Sequence, residues 1–195
     1  TMLKSTLLMT LMLAIALIGG AGSVWLALER DFGFDTITIG SWTALPQYGT
    51  LEADPYSRAR FSRDADLALG RGEGLVFIAR QDSEGRSLAI DCDYTMQGSM
   101  PPARFWTLYA RDNDDKIIDI EGGKPSALHS RALLRGADNI VTTHVSRHAA
   151  PGNWLATSGS GQFTLVLTLF DTSMASSSRI SEVELPEIIR ETCDG

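Results

Sequence analysis

Read as apolar and polar positions, the chain has two textures. From Ser5 to Leu28 no charged residue occurs. Leu7 to Ile18 is nearly continuous aliphatic sequence, Gly19-Gly20-Ala21-Gly22-Ser23 interrupts it, and Val24-Trp25-Leu26-Ala27-Leu28 resumes it. As a helix rising about 1.5 Å per residue, this stretch reaches about 36 Å, more than the roughly 30 Å hydrocarbon layer of a bilayer. Trp25 falls near the far boundary, where an indole suits the headgroup region. Lys4 precedes the run and Glu29-Arg30-Asp31 succeeds it, so the positive-inside rule leaves the amino end in the cytoplasm and sends the remainder outside. A cleaved signal peptide is the rival reading, on the small residues Ala21-Gly22-Ser23. The uncleaved anchor is preferred, because apolar residues resume beyond the glycines and a secretory apolar core runs only about 7–15 residues. Both readings export the rest of the chain. The division expected is an anchor over residues 1–30 and an exported domain over 31–195.

Beyond the anchor the pattern shortens. Thr36-Ile37-Thr38-Ile39 alternates like a half-buried strand. Asp54-Pro55 reads as a helix start, and the absence of Gly or Pro until Gly70 predicts one short soluble helix over 54–69. Leu75 to Ala79 is a compact apolar run, Asp82-Ser83-Glu84-Gly85-Arg86 a polar turn, and Leu88, Ile90, Cys92, Tyr94 and Met96 then share one face at period two. That sequence predicts a β-hairpin with Cys92 turned toward the core. Further strands are expected at Phe105 to Ala110, Ile117 to Ile120, Ala132 to Leu134, Ile140 to Val145, Phe163 to Phe170 and Ile180 to Leu185. Many short strands with a turn signal every eight to twelve residues favour an antiparallel β-sandwich or jelly roll over alternating strands and helices.

Composition narrows the function classes. Seventeen basic against 24 acidic residues give a net charge of −7 with no basic run, so the electrostatic footprint of a nucleic-acid binder is missing. Only two cysteines occur, Cys92 and Cys193, with no Cys-x-x-Cys pair to suggest structural zinc or redox chemistry. An even number in an exported domain predicts a disulfide tying the tail to a central strand.

Several clusters resemble sites. His144 and His148 have a helical metal-ligand spacing, yet a strand would set them about 13 Å apart. Asp112-Asn113-Asp114-Asp115 has calcium-ligand oxygens but no sixth-position Gly and no distal Glu, so it reads as a turn. Gly70-Arg71-Gly72-Glu73-Gly74 comes after a helix and precedes a strand, the reverse of a nucleotide loop. Ser158-Gly159-Ser160-Gly161 lacks the nucleophile-elbow pattern. Arg58, Arg60, Arg63 and Arg71 place local positive charge along the expected helix, suited to anionic headgroups or to solvent. No metal site and no cofactor motif is expected.

Two stretches carry a family resemblance. Pro101-Pro102-Ala103-Arg104-Phe105-Trp106-Thr107-Leu108-Tyr109-Ala110-Arg111-Asp112 resembles the aromatic strand and acidic turn of the bacterial domain of unknown function 1214. Pro151-Gly152-Asn153-Trp154-Leu155 with Gly161 to Asp171 is similar to that family's Asn-Trp-Leu loop and closing strand. More loosely, the layout of one span, a helix, a sandwich and a terminal Cys resembles that of a short, membrane-anchored subgroup. The resemblance implies a jelly-roll sandwich in a bacterial envelope protein and brings no catalytic residues. On these segments Arg104, Trp106, Tyr109, Asn153 and Trp154 are the candidate ligand-binding residues, since aromatic faces beside an amide and a guanidinium suit a sugar or an apolar ligand. The alternative is that they fill the core and brace a loop.

The resulting expectation is a single-pass protein of the bacterial inner membrane with a periplasmic β-sandwich. It binds an envelope protein or ligand and is not an enzyme. A glycan-acting hydrolase using cleft carboxylates and an accessory subunit of a membrane complex are the alternatives.

Overall fold

The apolar run forms one helix, α1, Met2–Glu29. Its stretch Leu3–Leu26 is long and apolar enough to cross a bilayer. Hydroxyls within it are turned back onto the helix: Thr10 Oγ1 donates to the carbonyls of Thr6 (3.1 Å) and Leu7 (2.9 Å), and Ser23 Oγ to Gly20 (2.8 Å). No solvent is needed to satisfy them. The computed structural model describes residues 2–29, 36–44, 55, 58, 59, 69, 73–120, 122–136, 140–173 and 183–194. The chain divides into two compact units, Thr1–Phe34 with Leu51–Ala68 and Asp35–Thr50 with Leu69–Gly195.

The second unit is built of short strands: β1 Ile37–Ile39, β2 Trp42–Ala44, β3 Gly74–Ala79, β4 Cys92–Ser99, β5 Phe105–Arg111, β6 Ala127–His129, β7 Ile140–Ser146, β8 Asn153–Ala156, β9 Thr164–Phe170 and β10 Glu187–Cys193. They form a six-stranded sheet ordered β1-β2-β3-β9-β5-β6 and a four-stranded sheet ordered β10-β4-β7-β8. The first is antiparallel throughout, while β7 and β8 run parallel in the second. The protein is mainly β, with one apolar helix at its amino end.

Alternation decides what is buried. Register aligns Leu75, Phe77 and Ala79 of β3 with Leu169, Leu167 and Leu165 of β9, and those with Trp106, Leu108 and Ala110 of β5. All nine are buried, in one core cluster with Tyr94, Met96, Val141, Val145, Leu155 and Ile188 of the other sheet.

Several expectations change. Leu75 to Ala79 and Leu88 to Met96 do not form a hairpin: β3 pairs with β2 and β9, and β4 pairs with β7 and β10. Among the described residues only the Gln81–Ser87 bridge links their ends. Both runs carry a core-facing side, and sending them to different sheets lets those sides meet across the core instead of lying side by side. The strand expected at 117–120 is reduced to an isolated bridge between Ile117 and Arg111, and the one expected at 132–134 is displaced to β6. Of the last strand expected at 180–185, residues 180–182 lie outside the described residues and 183–185 are not strand; β10 follows beyond Pro186. The segment Asn153–Ala156, expected as a loop, is the parallel edge strand β8. Of the soluble helix expected over 54–69, Pro55, Arg58 and Ala59 are helical and Leu69 is not, and the rest lies outside the described residues. So do Arg60, Arg63 and Arg71.

Cys92 and Cys193 are opposed in the β4–β10 register and form a disulfide across 101 residues. The sulfur on β4 is buried and the one on β10 belongs to an exposed residue. This is the bridge expected from the sequence.

Candidate functional site

The turn after β3 begins with Asp82, a carboxylate with 2% exposure. Its Oδ1 accepts the backbone N–H groups of Glu84 (3.0 Å) and Arg86 (2.9 Å), and its Oδ2 accepts Arg86 Nε (3.0 Å). Arg190 of β10 brings its own Nε to 3.0 Å from Oδ2, as an ion pair without hydrogen-bond alignment. Burial raises the Asp82 pKa, but the hydrogen bonds from Arg86 and Glu84 and the Arg86 charge outweigh it and hold the carboxyl below its ordinary value. A second turn uses the same local device: Asp112 Oδ1 accepts the N–H groups of Asp114 (2.9 Å) and Lys116 (3.0 Å). That is the turn reading of Asp112-Asn113-Asp114-Asp115, with the carboxylate of Asp112 occupied by backbone.

The Asp82 turn also grips β10 directly. Ser83 N–H donates to Ile188 O (2.8 Å) and Ile188 N–H donates to Ser83 Oγ (3.0 Å). Just upstream, the buried Trp42 Nε1–H donates to Pro186 O (2.8 Å). Gly98 makes room for that proline, because a Cβ there would stand 2.9 Å from Pro186 Cα. The segment before β10 is thus pinned beside β2 and β4, and a cleft of about 730 Å³ is left among them. Ile39 to Trp42, Gln81 to Ser83, Gly85, Gln97 to Ser99 and Val183 to Glu187 line it. Its volume falls in the range of small-molecule sites, roughly 300–1,000 Å³. The sequence pointed to none of these residues. The spacing Asp-x-x-x-Arg over 82–86, repeated as Asp-x-x-x-Lys over 112–116, was the one available signal that the turn is built.

A smaller hollow, about 290 Å³, lies at the β7–β8 edge and includes Arg135, Thr142, His144 and Asn153 in its wall. Register places Ile189, Thr95, His144 and Trp154 in one row across four strands. Thr95 Oγ1 and His144 Nδ1 are 3.2 Å apart. His148 is exposed in the loop after β7. Among the described residues no three His, Cys, Asp or Glu side chains come together as a metal set.

The five residues singled out on the sequence are not brought together. Trp106 is buried in the core, whereas Tyr109, three positions on, faces the other side of β5 and accepts a hydrogen bond from Arg111 Nη2 (3.0 Å). Arg104 is exposed and pairs with Asp171 at 3.4 Å. Asn153 and Trp154 lie in the other sheet, on opposite faces of β8. The Asn153 amide is fully used: Oδ1 accepts Leu134 N–H (2.7 Å), and Nδ2 donates to Leu134 O (2.8 Å) and Thr142 O (2.8 Å). Trp154 is half-buried, its Nε1–H directed at Ser146 O (3.2 Å) and Oγ (3.1 Å). Strand alternation separates what sequence proximity suggested. Because the buried Asn153 joins backbone groups of Leu134 and Thr142, Asn153→Ala is expected to cost about 1–2 kcal/mol in urea denaturation. Asn153→Asp should cost at least as much, since a carboxylate cannot donate to two carbonyls.

The family model described as "Protein of unknown function (DUF1214)" matches residues 73–174, more than half of the chain. The chain belongs to this family. The matched span of this DUF1214 protein runs from the start of β3 past the end of β9 and so includes strands of both sheets. No curated protein matches the chain. Among solved structures, the VPA0106 protein from Vibrio parahaemolyticus is similar with a TM-score of 0.58 at 20% identity, over 72% of this chain and 36% of that one. An uncharacterised protein from Burkholderia cenocepacia aligns with a TM-score of 0.44 at 16% identity, over 93% of this chain and 52% of that one. The chain therefore spans about a third to a half of the length of these structures, and the first likeness is one of fold alone.

Proposed function

We propose that this DUF1214 protein is a single-span protein of the bacterial inner membrane, its amino end cytoplasmic and its second unit a jelly-roll β-sandwich in the periplasm. It works by binding an envelope partner or ligand rather than by catalysis. One observation carries the reading: an apolar helix long enough to cross a bilayer and a disulfide occur in the same chain. Thiols in the cytosol are kept reduced, so a cross-strand disulfide belongs to an exported domain, and a helix of this length is the means of export and retention. Two sheets sharing one core support the sandwich. The cleft beside β10 supports ligand binding, and the one buried carboxylate in its wall, among the described residues, is Asp82, already committed to backbone and arginine partners.

Protease treatment of intact spheroplasts tests the placement. A carboxy-terminal epitope should be digested from outside while an amino-terminal epitope survives, and the thiols should resist alkylation until reductant is added. A tail degraded only after lysis would sink the reading.

A further inference from the structure

We infer that the cleft beside β10 takes a polyhydroxylated amine of monosaccharide to disaccharide size, such as an amino sugar, and rejects anions. This rests on the ligand-binding reading above and deepens it.

The charge of the wall sets the sign of the ligand. Asp82 is neutralised by Arg86 and Arg190 and takes no part. What remains is Glu184 and Glu187, both exposed and in no ion pair among the described residues, with no Lys, Arg or His in the described lining. An anion placed there would meet two carboxylates and no donor cation. An ammonium would be attracted, the more so because a cleft with low-dielectric walls concentrates the field of its charges. The polar neutral groups set the rest of the chemistry. The side chains of Gln81, Gln97, Ser41 and Ser99 line the cleft without hydrogen bonds among the described residues, and amides and hydroxyls both donate and accept. Hydroxyls on the ligand match that double character, whereas a purely apolar ligand would leave it unused. The half-buried Val183 and Leu185 offer apolar surface for the carbon face of a ring.

The test uses the full chain in mild detergent, titrated calorimetrically at pH 6 with glucosamine, glucose and glucuronate. Glucosamine should saturate and bind at least tenfold more tightly than glucose, with no saturation by glucuronate. Glu184→Gln with Glu187→Gln, two exposed changes, should bring glucosamine to within threefold of glucose. Ser99→Trp should abolish binding by filling the cleft while leaving the thermal midpoint within a few degrees. Glucuronate binding as tightly as glucosamine, a preference that survives the double Gln variant, binding that survives Ser99→Trp, or saturation by none of the three would each overturn the inference. The titration does not depend on membrane orientation. A failed titration with a periplasmic tail therefore sinks the ligand class alone, and a cytoplasmic tail sinks the placement alone.

Discussion

Asp82→Ala is expected to lose about 3–5 kcal/mol of folding stability, the cost of removing one partner from a buried ion pair. The carboxylate does two jobs at once. It satisfies the backbone of its own turn and it neutralises Arg190 on β10, whose side chain is 16% exposed. Removing it leaves that guanidinium facing low-dielectric surroundings and the N–H groups of Glu84 and Arg86 without their acceptor. With a urea slope of about 2 kcal/mol/M, the midpoint should fall by roughly 1.5–2.5 M. Asp82→Asn should be milder in the turn, since an amide oxygen still accepts, and nearly as severe at Arg190. A loss below about 1 kcal/mol would mean that Arg190 is solvated and the clasp is not real.

The same residue predicts a pH dependence. Its folded pKa lies below the ordinary carboxylate value, so its contribution is present above the unfolded pKa, near 3.9, and is lost as pH falls through the folded pKa. Wild type and Asp82→Asn should differ most at neutral pH and converge in strong acid. Urea midpoints taken from pH 7 down to pH 2 would show the convergence. A constant gap across that range would contradict it.

Loss of the Cys92–Cys193 bridge is the second large effect. Closing a loop of about 100 residues is worth up to about 4.7 kcal/mol in the chain-entropy model. Cys92→Ala with Cys193→Ser is the appropriate variant, because the first position is buried and the second exposed. We expect a loss of about 3–4 kcal/mol, matched by reduction of the wild type. Amide exchange should accelerate first in β10, an edge strand whose only strand neighbour among the described residues is β4. Uniform acceleration across both sheets would indicate that the bridge supports global stability without a local clasp. Combining this variant with Asp82→Ala should cost more or less than the sum, because both act on the same strand.

Much of the architecture was readable because it is written in periods. The uncharged run from Ser5 to Leu28 makes up most of α1, a helix long and apolar enough to cross a bilayer. Strict alternation from Leu88 to Met96 placed five side chains on one face, and all five are buried. The Phe163 to Phe170 run became the central strand β9, and the two cysteines, alone in the chain, found each other. The aromatic and Asn-Trp-Leu segments marked the family correctly.

Periodicity says which face of a strand is apolar, not which strand lies beside it. Pairing is settled by long-range competition for the core, which is why Leu75 to Ala79 and Leu88 to Met96 went to different sheets. The same blindness grouped Arg104, Trp106 and Tyr109 with Asn153 and Trp154, residues that alternation and sheet membership then pulled apart. The cleft was invisible for a related reason. Its wall is drawn from segments as distant as Ile39, Gln81, Gln97 and Glu184, and it exists because Trp42, Gly98 and Asp82 hold the approach to β10 in place. Local sequence determined the apolar helix, the strands and the thiol pair. Where strands met, which polar groups were spent and where space remained were decided by packing, because those depend on contacts between residues far apart in the chain.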